Sequence, residues 1–70
     1  MKLTIRTISP NVVSVTTDWT TYTVVFSNEA AQISTFGLQE EVSIEHFPDL
    51  AKNAAIAAYL ITQLELKSLD

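Results

Sequence analysis

The chain has 70 residues and a mass of 7.7 kDa. That allows one domain, residues 1–70, and leaves no room for a Rossmann unit, a barrel or a two-domain active site. Apolar residues make up 47% and charged residues 17%, with one Gly and two Pro, a globular rather than disordered or collagenous composition. Eight acidic residues against four basic ones leave a formal net charge of −4, which disfavours nucleic acid or an anionic membrane as a direct ligand. Cysteine is absent, so disulfides, zinc–thiolate sites and a Cys nucleophile are excluded.

Taken in chain order, the first half reads as strands. Residues 2–8 alternate, with Leu3 and Ile5 on one face and Thr4 and Arg6 on the other. Ser9-Pro10-Asn11 is a turn signal, because Pro fixes φ and Asn tolerates the left-handed region. Residues 12–17 are rich in β-branched side chains, and 21–27 place Tyr22, Val24 and Phe26 on a common face. Asp18-Trp19-Thr20 connects the second strand to the third, and Asn28-Glu29 is a candidate for the next turn. Residues 31–35 read as a fourth strand ending at Phe36-Gly37. Nine threonines, seven of them before residue 24, suit a pleated, half-exposed surface. From Leu38 to Phe47 two templates fit. An extended form puts Val42 and Ile44 inward and Glu41, Ser43 and Glu45 outward. A helix sets Glu41 and Glu45 at i,i+4, where like charges repel, so the extended form is preferred.

The last third reads as one helix over about 49–67. Pro48 suits its first position, Asp49 its first turn and Lys67 its last turn. Steps of 100° give an apolar stripe of Leu50, Ala54, Ala57, Ile61 and Leu64, with Leu60 at its edge. The far side, centred on Lys52 and Gln63, also carries Ile56, Tyr59 and Leu66, enough apolar surface for a dimer contact. The expected fold is therefore α+β, a small antiparallel sheet of three to four strands packed on one C-terminal helix. The N-terminus alternates rather than forming a signal sequence, and the longest apolar run, Ala54 to Ile61, is well short of the roughly 20 residues of a membrane span. The expectation is a cytoplasmic protein with no membrane contact.

The catalytic inventory is thin. His46 is the lone histidine, with Asp49 the nearest Asp, and no nucleophile elbow accompanies them. Gly37 is the single glycine, so no phosphate-cradling loop exists. No His/Cys pair has metal spacing, and Glu40, Glu41, Glu45 and Asp49 do not match a calcium loop. No catalytic, metal or cofactor site is expected, and the chain does not read as an enzyme.

Charge placement is the informative pattern. Between Arg6 and Lys52 there is no Lys or Arg, whereas that interval holds Asp18, Glu29, Glu40, Glu41, Glu45 and Asp49. Such a surface steers toward a basic groove. In format, through the acidic group Glu40, Glu41, Glu45 and Asp49 and the interval without bases, the chain resembles small inhibitors encoded by phages and mobile elements: anti-CRISPR proteins and DNA-mimic inhibitors of DNA-processing enzymes. The resemblance implies a non-enzymatic protein that binds a basic protein or nucleoprotein complex and blocks its nucleic-acid site. Asp18, Glu29, Glu40, Glu41, Glu45 and Asp49 are then the partner-binding residues. The alternative is a structural or assembly subunit, a homodimer through Ile56, Tyr59 and Leu66.

Overall fold

A computed structural model describes residues 2–27, 29–43 and 50–69. Five strands precede one helix: β1 (Thr4–Ser9), β2 (Val12–Thr16), β3 (Thr21–Phe26), β4 (Ala30–Thr35), β5 (Leu38–Ser43) and α1 (Leu50–Leu69). The strands form an antiparallel meander in chain order, so β1 and β5 are the two edges of one sheet. The α+β class is as expected, but the sheet has five strands rather than three to four. The additional strand is the acidic stretch Leu38–Ser43. It pairs with β4 in full register, from Thr35 opposite Leu38 to Ala30 opposite Ser43. Ile44, Glu45, His46, Phe47, Pro48 and Asp49 lie outside the described residues, as does Asn28.

The turns follow local chemistry. Pro10-Asn11 closes β1 onto β2, with Ser9 Oγ donating to Asn11 Oδ1 at 3.0 Å. At the opposite end the Thr17 hydroxyl organises the next reversal by accepting from Trp19 N at 3.1 Å and Thr20 N at 3.3 Å. The Ser27 N–H closes the third, donating to the Ala30 carbonyl at 2.8 Å. Phe36-Gly37 links β4 to β5, and Gly37 has φ +79°, a value at which an L side chain is strained.

Register sorts the strands into two faces, since paired residues share a face. Val13, Val15, Tyr22, Val24, Phe26, Ala31 and Ile33 point toward the helix and are buried. The helix lies over β1, β2 and β3. It presents Asn53, Ala57, Ile61 and Glu65, all buried and each four residues after the last. A second row, Ile56, Leu60 and Leu64, packs beside it against the core, as do Leu3 and Val42. One expectation is corrected here: Ile56 packs against the core rather than lying on the far side. The expected stripe holds at Ala57, Ile61, Leu60 and Leu64, and Asn53 and Glu65 widen it. Ala54 is half-buried, and the side chain of Leu50 lies outside the described part. Among the described residues, the other sheet face carries no helix. Its rows include Thr4, Thr16 and Thr21, then Arg6, Ser14, Thr23, Ser34 and Gln39, then Val12, Val25, Gln32 and Glu41. Among the described residues, no helix is long and apolar enough to cross a membrane.

Candidate functional site

Two polar anchors fix the helix on the sheet. Near its start, Asn53 Nδ2 donates to the Pro10 carbonyl at 2.6 Å, tying α1 to the β1–β2 turn. Near its end, Glu65 is only 3% exposed. Its Oε2 accepts from Thr17 Oγ1 at 2.7 Å and from the Tyr22 hydroxyl at 3.0 Å. Its Oε1 is buried and has no hydrogen-bonding partner among the described residues. Burial pushes the Tyr22 hydroxyl above its ordinary value of 10.0, and the hydrogen bond and negative charge of Glu65 act in the same direction. Tyr22 therefore stays protonated around neutral pH and serves as a donor. The arrangement holds structure in place.

The chemically distinctive surface is β5 and the end of the sheet from which it starts. Along this strand Leu38, Glu40 and Val42 face the helix side, whereas Gln39, Glu41 and Ser43 face the bare side. Three shallow concavities adjoin it. One, of about 160 Å³, lies between sheet and helix, lined by Ile33, Glu40 and Val42 from the sheet and by Leu60, Gln63, Leu64 and Lys67 from α1. The second, about 230 Å³, is bounded by Gln32, Gln39, Glu40 and Glu41. The third, about 380 Å³, is bounded by Ser34, Thr35, Gly37, Leu38 and Gln39. Where β5 begins, Phe36 is fully exposed at 101% and Trp19 is 68% exposed in the neighbouring turn. The two turns are tied together by the Thr20–Thr35 hydroxyl pair at 3.0 Å and by Thr35 Oγ1 donating to the Thr21 carbonyl at 2.8 Å. Two large exposed aromatics on hydrogen-bonded turns resemble the anchors that concentrate binding energy at protein interfaces.

The expected partner-binding carboxylates are distributed as follows. Glu40 and Glu41 share β5 but point to opposite faces, with Glu40 half-buried and Glu41 exposed. Gln32 Nε2 donates to Glu41 Oε2 at 3.4 Å. Asp18 is exposed in the turn beside Trp19, at the end where β5 starts. Glu29 is exposed at the opposite end, between β3 and β4. Glu45 and Asp49 lie outside the described residues. The described carboxylates thus occupy two ends and two faces, and β5 alone brings a pair together. On the far side of α1, Tyr59 is 63% exposed and Leu66 is also exposed. The sequence pointed to neither Phe36 nor Glu65. For Glu65 a signal was present, because it lies four residues after Ile61 on the buried stripe. Comparison with protein-family models, curated proteins and solved structures finds no match to this chain.

Proposed function

We propose that the chain is a non-catalytic, cytoplasmic protein-binding module that blocks a basic, nucleic-acid-handling protein, in the manner of anti-CRISPR and related inhibitors, with β5 as the centre of its contact surface. The observation that carries this reading is the concentration of binding chemistry along one strand. Glu40 and Glu41 lie on it, the shallow concavities and the exposed Phe36 adjoin it, and the exposed Trp19 stands at the same end of the sheet. Carboxylates supply long-range steering toward a Lys/Arg surface, and the aromatics supply area once contact is made. The test is affinity capture from host lysate with the full chain at low and high salt, alongside the Glu40→Gln/Glu41→Gln double variant. A nucleic-acid-handling protein retained at low salt, released at high salt and lost by the double variant is the expected outcome. Equal recovery by the double variant refutes the reading.

A second reading rests on the exposed pair Tyr59 and Leu66, seven residues apart on one side of α1. A homodimer through this side makes the chain an assembly subunit. Sedimentation decides it: the dimer persists at high salt and is lost in Tyr59→Glu, whereas a wild-type monomer at high concentration refutes it.

A further inference from the structure

The sheet has two edges of unlike character. β1 is irregular, because its register slips between Thr7 and Ser9. Such a bulge twists an edge and spoils it as a template for another strand. β5 is regular across all six of its pairs with β4, and among the described residues nothing pairs with its outer side. A regular six-residue edge exposes a row of backbone N–H and C=O groups for an additional strand. The body of α1 lies over β1, β2 and β3. On the helix-side face of β5, residues Leu60, Gln63, Leu64 and Lys67 of α1 line a concavity with Glu40 and Val42, while the outer backbone edge of β5 stays unpaired among the described residues.

Charge decides which strand. A second copy of β5 laid centrally on this edge sets Glu40 and Glu41 against like charges, and directly opposed like charges destabilise a strand pair. A basic strand meets the reverse situation. The face alternation then dictates a pattern. On the helix side β5 offers Leu38, Glu40 and Val42, and on the bare side Gln39, Glu41 and Ser43. A complementary strand therefore carries apolar, basic and apolar residues on one face and polar, basic and polar residues on the other. The apolar residue next to Val42 also borders the concavity lined by Ile33, Leu60 and Leu64, which Glu40 and the cationic Lys67 line as well. The bare-side Glu41 is thus the carboxylate whose concavity holds no lysine of this chain among the described residues.

We propose that β5 receives an extended basic segment of the partner protein as a sixth strand of the sheet. This rests on the inhibitor reading and specifies its mode of contact. Written antiparallel against Ser43 back to Leu38, the segment takes the form Thr-Val-Lys-Lys-Thr-Val, which sets its two lysines opposite Glu41 and Glu40.

The probe is this capped hexapeptide titrated into the isotope-labelled full chain and followed by amide NMR. A Glu-Glu analogue and a set of analogues N-methylated at one position at a time complete the series. Strand addition predicts shifts and slowed hydrogen exchange centred on residues 38–43. It predicts about fivefold or greater loss of affinity when alternate residues are N-methylated, with little effect at the residues between, because only every second N–H points at β5. It also predicts no binding of the Glu-Glu analogue. Absence of binding by the lysine peptide at millimolar concentration overturns the proposal, and so does binding indifferent to N-methylation at every position. The salt-sensitive capture experiment stands apart from this. Capture lost in Glu40→Gln/Glu41→Gln together with a flat N-methyl scan leaves the acidic-surface reading standing and removes strand addition alone. Capture unaffected by that double variant removes the underlying reading itself.

Discussion

The Glu65 anchor makes a quantitative prediction about how the helix is held. Tyr22→Phe removes one oxygen and the 3.0 Å bond to Glu65 Oε2, while the ring keeps its place in the core. A hydrogen bond to an ionised acceptor contributes about 1.5–3 kcal/mol net, so the single variant loses about that much. With a urea slope of about 1 kcal/mol/M for so small a domain, the midpoint falls by roughly 1.5–3 M. The same substitution made in a Glu65→Leu background has a different outcome. There the Tyr22 hydroxyl is already buried without its acceptor, and deleting it removes an unsatisfied donor. Thr17 does not confound the cycle, because its hydroxyl retains the Thr20 carbonyl as a second acceptor at 3.3 Å. The reasoning predicts a loss of about 1.5–3 kcal/mol in the presence of Glu65 and no loss, or a slight gain, in its absence. Urea titrations of the four proteins by far-ultraviolet circular dichroism measure both numbers. Equal losses in the two backgrounds refute the anchor, because additivity means that the hydroxyl and the carboxylate do not interact.

Three further predictions follow from single contacts. The folded state holds the Tyr22 proton more tightly than the unfolded chain, so this group's contribution to stability is fully present below about pH 10 and is lost as pH rises through the folded value. Urea midpoints measured from pH 8 to 12 show that decline, and Tyr22→Phe flattens it. Asn53→Ala leaves a small void and frees the Pro10 carbonyl, costing about 1–2 kcal/mol and lowering the melting temperature by roughly 4–16 °C. Gly37→Ala meets no steric neighbour within 4 Å, so its cost is the backbone strain alone, about 1 kcal/mol, and Gly37→Asn recovers part of it in the same melting assay.

The parts of the fold legible in the sequence were those where pattern and burial coincide. Tyr22, Val24 and Phe26 sit at period 2 between a turn signal and a polar loop, and they form the central buried strand. Pro10-Asn11 and Phe36-Gly37 turn the chain where their backbone preferences say they should. The strand β5 was harder to read because Gln39-Glu40-Glu41 carries no apolar residue, and its half-buried apolar residue, Val42, comes late. Its identity is decided by pairing with β4, a nonlocal contact that periodicity does not register. The helix stripe was legible at Ala57, Ile61 and Leu64, but its polar members were not, because Asn53 and Glu65 count as polar on any hydropathy scale. Each is buried because a specific acceptor or donor waits on the sheet: the Pro10 carbonyl for one, the Thr17 and Tyr22 hydroxyls for the other.

The interval without basic residues shows what linear charge density does and does not determine. Six carboxylates in a row of sequence suggest one acidic surface, yet in a meander each strand reverses direction and each residue alternates face. Asp18 and Glu29 are separated by the length of β3, which places them at opposite ends of the sheet. Glu40 and Glu41 are neighbours in sequence and point to opposite faces. A carboxylate row imitating a nucleic-acid backbone requires like charges at alternate positions on one face, and the described residues supply it only as far as Glu41. What the meander does preserve is the location of charge on an edge. On an edge strand both faces border the same free backbone, so Glu40 and Glu41 together surround whatever pairs there. The acidic interval is thus better matched to a single basic strand that is charged on both of its faces than to a flat basic groove.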